Sequence, residues 1–204
     1  PDGFIMNNGA YIEVHGKVLK NRYFTQEQIR EVTAYSDREN NAYLLIHQKG
    51  VYTPDPDHPM TKELLSKLNV AKDVITTCRD GDYNFMVEIC RNEESCDAFL
   101  HQFEGKLQIR RQYQYSAYDI NDLRDGKGNA VKQVIDYLHG DAQAAFCFAD
   151  SDNDLEMMEA VGYPIAMKNA NAHIKQKAIY VCEDVLADGV YEGLIKMRLI
   201  DPLP

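Results

Sequence analysis

The sequence has 204 residues and a formal charge of −10, enough chain for one large domain or two small ones, with a core that needs no disulfide or metal staple. Its 22 Lys and Arg stand against 32 Asp and Glu and form no basic run, which excludes a nucleic-acid surface, because phosphate contacts need clustered cations. No apolar stretch approaches the ~20 residues that span a bilayer, no signal peptide opens the chain, and five Cys without Cys-x-x-Cys spacing fit a reducing cytoplasm better than a disulfide scaffold.

In chain order, Phe4 to Met6 is a short apolar run that stops at Asn7-Asn8-Gly9. Ala10 to Val14 is extended, His15-Gly16 turns it, and Lys17 to Phe24 returns, so the opening reads as a hairpin. Thr25, with Gln28 at the capping-box position, predicts a helix start, and Ile29, Val32 and Ala34 give that helix its apolar side. Ala42 to Ile46 reads as a strand, Lys49-Gly50 as a turn and Val51-Tyr52 as a brief strand. Three prolines between Thr53 and Pro59 argue against regular structure there. Thr61 to Leu68 is helical in pattern, Asp80-Gly81 is a turn, and Tyr83 to Ile89 is a strand. Cys96, Phe99, Leu100 and Phe103 recur at i, i+3, i+4, i+7, which predicts an amphipathic helix from Glu93 to Phe103, ended by Gly105. Leu107 to Ile120 is extended and Tyr-rich, with an alternation that suggests a sheet covered on one face only.

Beyond Ile120 the style changes. Gly126-Lys127-Gly128 precedes a helix with Val131, Val134, Ile135 and Leu138 on one face. Ala144 to Ala149 is a buried strand, followed by an acidic loop, a helix carrying Leu155 and Met158, and a stop at Gly162. Pro164 to Met167, Asn171 to Ala178, Ile179 to Val181 and Val190 to Leu199 continue as strand, helix, strand, helix. This alternation predicts a parallel sheet with helices on its faces.

The acidic loop holds Asp150, Asp152 and Asp154 within five residues, with Asn153 among them. Ligands of open α/β sheets sit at the carboxyl ends of strands, and crowded carboxylates there suit a Mg²⁺ ion, which takes oxygen ligands and commonly one or two carboxylates plus phosphate oxygens. The plainer alternative is an acidic loop capping a helix, with Asp152 or Asn153 as N-cap. Lys127 at a helix start is placed to hold an anion or is simply a solvated turn residue; beside the acidic loop it would share a phosphoryl group with the metal. Tyr113, Tyr115 and Tyr118 either stack on a ligand or pack a sheet face, and Asn7-Asn8-Gly9 either lines a cleft or is turn chemistry.

These residues resemble a known family. Ala149-Asp150-Ser151-Asp152-Asn153-Asp154 followed by Met157-Met158 is similar to the fourth motif of the haloacid dehalogenase superfamily, in its Cof-like sugar-phosphate phosphatase branch, where Gly-Asp-x-x-Asn-Asp precedes a Met-Leu pair. Ile165-Ala166-Met167-Lys168-Asn169-Ala170, Asp188-Gly189-Val190, Gly126-Lys127-Gly128-Asn129-Ala130 and Phe4 to Ala10 resemble further segments of that family in the same order. The resemblance implies a doubly wound, Rossmann-like parallel-sheet core with an inserted α+β cap: core in residues 1–24, cap in 25–121 and core again in 122–204. It implies a Mg²⁺-dependent phosphohydrolase of small phosphorylated metabolites, working through an aspartyl-phosphate. Carried over by position, Asp150 would bind Mg²⁺, Asn153 would contact the phosphate or order the site, Asp154 would support the metal shell or orient Lys127, and Lys127 would neutralise the phosphoryl and nucleophile charges. Asp152 falls on an unspecified position and is expected to be a solvated loop charge. Ala149 replaces the family's Gly. The family's first motif, Asp-x-Asp-Gly-Thr, with its nucleophile, occurs nowhere in the sequence, so the expectation is an amino-terminally truncated chain, inactive alone. The alternatives are a non-catalytic binding module of this fold and, more remotely, a nucleotide-binding α/β domain, which lacks support because no Gly-rich loop follows a strand.

Overall fold

The computed structural model describes residues 1–79, 81–112 and 116–202. The chain forms two compact units, Pro1–Asp125 and Gly126–Pro204. No helix among the described residues is long and apolar enough to cross a membrane.

The first unit opens with β1 (Gly3–Met6), β2 (Tyr11–Val14) and β3 (Lys17–Asn21), an antiparallel sheet with β2 in the middle. Asn7 and Asn8 join β1 to β2 with φ of 53° and 51°, a left-handed conformation that Asn tolerates better than most residues. They do not end as plain turn residues. Asn7 Nδ2 donates to Asn84 Oδ1 at 2.8 Å and Asn8 Nδ2 to Asn121 Oδ1 at 3.2 Å. Asn121 Nδ2 in turn donates to the Asn7 carbonyl at 2.9 Å. This amide network ties the small sheet to the rest of the unit. Asp125 adds to the tie by accepting from Lys20 Nζ at 2.5 Å and Arg22 Nε at 3.0 Å.

Helix α1 (Gln26–Glu39) starts at the predicted capping box: Gln28 N–H donates to Thr25 Oγ1 at 3.1 Å, and Thr25 N–H to Gln28 Oε1 at 2.8 Å. Its buried side is Ile29, Val32, Thr33, Tyr35 and Ser36; Ala34, expected there, is exposed. The chain continues through β4 (Ala42–His47), β5 (Gly50–Tyr52), α2 (Pro59–Lys67), β6 (Ile75–Thr76), β7 (Phe85–Ile89), α3 (Glu93–Phe103), β8 (Leu107–Gln112) and β9 (Ala117–Asp122). Pro59 begins α2 instead of belonging to the irregular stretch, because the first helical position needs no N–H donor. The strands form one six-stranded sheet in the order β6-β5-β4-β7-β9-β8. All its pairings are antiparallel except β5 with β6.

Tyr35 of α1 and Phe99 and Phe103 of α3 cover one face of this sheet, against Tyr43, Leu45, Met86, Tyr118 and Ile120. Leu64 and Leu65 of α2 cover the other, against Leu44, Val87 and Ile89. The sheet is therefore not open on one side, as the alternation in 107–120 suggested; the central strand β4 is an uninterrupted apolar run because both its faces are buried. Tyr118 stacks on Phe99 with ring centroids 5.9 Å apart and so packs the sheet. Tyr113, Tyr115 and the Asp80 position of the predicted turn lie outside the described residues.

One charged residue enters the α1–α3 face. Glu88, midway along β7, is 0% exposed. Ser36 Oγ lies 2.6 Å from its Oε2, and Asn41 Nδ2 donates to its Oε1 at 2.8 Å. Burial pushes this carboxyl up to about 8. Asn41 is itself fixed, since its Oδ1 accepts from Ser95 Oγ at 2.7 Å.

The second unit is α4 (Lys127–Tyr137), β10 (Phe146–Ala149), α5 (Leu155–Met158), β11 (Tyr163–Ala166), α6 (Ala172–Lys177), β12 (Tyr180–Val181) and α7 (Gly189–Lys196). The three strands are parallel and consecutive in the sheet. Cys147, Ala149 and Ala166 pack with Leu155, Met158 and Ile174 on one side. Phe146, Phe148 and Ile165 pack with Cys182 and Met197 on the other. Helices thus lie on both faces, the doubly wound α/β arrangement. Within α4, Gly128 and Ala130 are buried, Val131, Val134 and Ile135 are half-buried and Leu138 is exposed. The helix meets its neighbours through its small amino-terminal residues and, of the predicted apolar stripe, through Val131.

Candidate active site

The second unit gathers its polar residues at the carboxyl end of β10. Ala149 closes the strand, and Met167 N–H donates to its carbonyl at 2.9 Å. The chain then makes a single 3-10 turn, Asp152–Asp154, before α5 begins. The turn closes on itself: Asp154 N–H donates to the Ser151 carbonyl at 2.9 Å, and Ser151 Oγ donates to Asn153 Oδ1 at 2.7 Å. Neither Asp152 nor Asn153 caps α5, whose N-cap position is Asp154 without a side-chain capping bond. The simple capping explanation of the acidic loop therefore does not hold.

The three carboxylates have three different fates. Asp154 is buried, 5% exposed. Its Oδ1 accepts from Lys127 Nζ at 2.5 Å, and its Oδ2 accepts from the Asp150 N–H at 3.2 Å. Asp152 keeps a side chain 38% exposed, as expected of a loop charge, but it also has partners. Its Oδ1 accepts from Asn171 Nδ2 at 3.1 Å and lies 3.3 Å from His173 Nδ1. Asp150 is exposed, and among the described residues its carboxylate is engaged by no hydrogen bond or ion pair.

Backbone geometry explains how Lys127 reaches Asp154 across 27 residues of sequence. Gly126 enters α4 at φ 151°, which side-chain-bearing residues rarely adopt. Gly128 then lets the helix start against the loop: a Cβ there would lie 2.3 Å from the Glu156 carbonyl oxygen. The Gly-Lys-Gly sequence is thus what allows close approach, with the Lys between the two glycines aimed at the acidic turn. The Lys is 27% exposed, so its ammonium keeps access to a bound anion.

No group of three or more His, Cys, Asp or Glu suited to a metal ion occurs among the described residues. The donor set nonetheless fits a partial Mg²⁺ site, because Mg²⁺ is usually held through one or two carboxylates with the remaining positions filled by water and phosphate. Asp150 is the carboxylate left unengaged for that purpose. Asp154 is already committed to Lys127. Asn153 keeps its amide hydrogens without a partner among the described residues, since only its oxygen is used.

Sequence reasoning missed Asn171 and His173. The signal for Asn171 was present: an Asn directly before a short helix is an N-cap pattern, and its Oδ1 does accept from Ile174 N–H at 2.9 Å. Its second bond, to Asp152, joins loops after two different strands and has no local signature.

Comparison with known proteins agrees with this arrangement. Aligned along most of its length, the chain is 27% identical over 191 residues to a phosphoglycolate phosphatase of Methanothermobacter thermautotrophicus, covering 94% of this chain and 76% of the relative. A phosphoglycolate phosphatase of Archaeoglobus fulgidus is 38% identical over 85 residues, 41% of this chain and 38% of the relative. Among solved structures, the phosphatase BT1666 of Bacteroides thetaiotaomicron, a member of the haloalkanoate enzyme superfamily, superposes with a TM-score of 0.83 at 20% identity, over 98% of this chain and 75% of that one. The sugar phosphatase BT4131 of subclass IIB gives 0.82 at 21% identity, over 98% and 76%. These likenesses establish a shared fold. The family model described as haloacid dehalogenase-like hydrolase matches residues 2–194, a span that contains both the small opening sheet and the Lys127–Asp154 pair, and the chain belongs to that family.

Proposed function

We propose that the chain acts in a Mg²⁺-dependent phosphohydrolase of small phosphorylated metabolites such as sugar phosphates. The observation that carries this reading is the Lys127–Asp154 pair beside the unengaged carboxylate of Asp150, at the carboxyl end of a parallel strand. The phosphatase names of the relatives support it. In this reading residues 25–121 are the cap, and residues 1–24 and 122–204 belong to the core.

Each residue has a distinct task. Lys127 offers a fixed positive charge to a phosphoryl oxygen, where charge builds as the phosphorus–oxygen bond breaks. Asp154 holds the ammonium in place by pairing with it. Asn153 donates an amide hydrogen to a second phosphoryl oxygen. Asp150 holds Mg²⁺, which when bound draws charge from the phosphoryl group and fixes its orientation. The attacking carboxylate is not assigned to any of the 204 residues, since Asp-x-Asp-Gly-Thr is absent from the sequence, and this chain assayed by itself is expected to be inactive.

The test uses protein expressed from the complete open reading frame, with p-nitrophenyl phosphate as substrate. Lys127→Ala should lower turnover on the order of 10²-fold at every Mg²⁺ concentration, as expected for loss of one preorganised charge. Asp150→Asn should lower it too, but recover in part at high Mg²⁺. Turnover by the wild type that is indifferent to EDTA, or Mg²⁺ rescue of Lys127→Ala but not of Asp150→Asn, would defeat the assignment.

A further inference from the structure

The three carboxylates of the acidic turn repel one another, and the structure relieves that repulsion unequally. Asp154 is neutralised by Lys127 at 2.5 Å. Asp150 is left exposed and unengaged among the described residues. Asp152 reaches towards the segment that follows the neighbouring strand β11, where Asn171 Nδ2 donates to it at 3.1 Å and His173 Nδ1 lies 3.3 Å away. The Asn171 amide cannot swing freely, because its oxygen is fixed by the Ile174 N–H at 2.9 Å. Strands β10 and β11 pair in parallel with Ala149 opposite Ala166, so the two loops leave the sheet side by side.

We propose that Asp152 and Asn171 form a brace that aims the acidic turn, making both positioning residues for Mg²⁺ binding by Asp150; the proposal rests on the metal-dependent reading given above. Apart from the His173 Nδ1 contact with Asp152 at 3.3 Å, the turn's other side-chain hydrogen bonds among the described residues are internal or run to Lys127, which must also serve the substrate. The bond from Asp152 to Asn171 is the lateral attachment that remains in place whatever Lys127 does. Asp152 lies two residues from Asp150, so release of its side chain lets the backbone carrying Asp150 rotate. A carboxylate that must meet Mg²⁺ in near-octahedral geometry tolerates little such rotation, and partners that orient a metal ligand commonly change metal affinity by 10-fold or more. Asp152 does this work as an acceptor, without touching the ion.

The experiment uses protein from the complete open reading frame and two readouts: Mn²⁺ binding followed by electron paramagnetic resonance without substrate, and the Mg²⁺ concentration for half-maximal turnover, separated from the limiting turnover. Asp152→Ala should weaken Mn²⁺ binding on the order of tenfold and raise the half-maximal Mg²⁺ similarly, with limiting turnover nearly preserved. Asp152→Asn keeps an oxygen for Asn171 and should bind Mn²⁺ close to wild type. Asn171→Ser keeps a hydroxyl to cap α6 but is too short to reach Asp152, so it should fold normally, as judged by its thermal midpoint, and still weaken Mn²⁺ binding. The double variant Asp152→Ala, Asn171→Ser should be no weaker than Asp152→Ala alone, which already loses the bond to Asn171. Equal weakening by Asp152→Ala and Asp152→Asn, additive effects in the double variant, or unchanged Mn²⁺ affinity throughout overturns the brace, as does failure of the wild type to bind Mn²⁺. Mn²⁺ binding with the expected variant pattern but without any Mg²⁺-dependent turnover instead overturns the phosphohydrolase reading and leaves the brace standing.

Discussion

Glu88 should make the first unit progressively less stable as pH rises. Burial favours its protonated form, against two hydrogen bonds that favour the charged one. Ser36 has one hydroxyl hydrogen and two oxygen neighbours: the Val32 carbonyl at 2.9 Å and Glu88 Oε2 at 2.6 Å. Ser36 Oγ donates to Glu88 Oε2, a bond that offsets only part of the cost of burying the carboxyl. Asn41 Nδ2 meanwhile donates to the other carboxyl oxygen at 2.8 Å. Two neutral donors do not replace a cation, and a carboxylate buried without one is costly. Burial accordingly pushes the carboxyl from 4.5 up to about 8. The folded form therefore keeps a proton that the unfolded chain releases between those values. The stabilisation is complete below pH 4.5, falls by about 1.4 kcal/mol for each pH unit above it, and is gone above about pH 8. Across that window the loss is about 5 kcal/mol by the same relation, comparable with the whole stability of a small domain. Glu88→Gln retains the shape, donates to Ser36, accepts from Asn41 and cannot ionise. Urea midpoints measured from pH 4.5 to pH 9 should fall steeply for the wild type and stay nearly level for Glu88→Gln, with the two curves meeting at the acid end. Parallel curves, or a Glu88 side-chain carbon that titrates near 4.5 by NMR, would refute the reasoning.

Gly128→Ala should move α4 away from the Glu156 carbonyl, a 2.3 Å approach that a Cβ cannot share; the expected cost is about 1–3 kcal/mol in the melt, together with loss of activity in the complete protein through the Lys127–Asp154 pair. Thr25→Ala removes one half of the capping box and should lower stability by about 1 kcal/mol, read as a shifted urea midpoint with an unchanged slope. Cys78 is exposed while Cys90, Cys96, Cys147 and Cys182 are buried, so a thiol reagent should modify one Cys rapidly in the native chain and the other four only after unfolding, with mass spectrometry placing the first adduct at residue 78.

What was legible in the sequence was local chemistry. Thr25 and Gln28 announce α1 because the reciprocal capping bonds lie three residues apart, and the Cys96–Phe103 stripe gives α3 its limits. The acidic turn, its strand and the Lys between two glycines were also readable, since each is a short-range pattern. Partnerships across the chain were not. The two-residue strand β6 exists only because β5 offers it an edge, and its own side chains carry no period. Glu88 was read as one polar residue of a strand; the clue that it faces inward is that Met86 and Cys90 share its side of β7, but its partners Ser36 and Asn41 sit far back in the chain. The apolar stripe of α4 tells only part of that helix's packing, for a related reason. Periodicity finds a stripe, but the contact that positions α4 is a backbone approach at Gly128, and a glycine has no side chain to mark a face.

The strand order of the six-stranded sheet has a consequence for how the protein behaves when concentrated. One border is β6, only two residues long, and the other is β8. Strand β8 carries Arg110 and Arg111 at adjacent positions, so a guanidinium projects on each side of the outermost ribbon. An extra strand from another molecule would find almost no ladder at the first border, and would have to desolvate charge on either side at the second. Short or charged borders of this kind discourage runaway sheet growth. This sheet, whose central strand β4 is among its most apolar stretches, thereby keeps that stretch enclosed and turns a very short strand and a charged one outward.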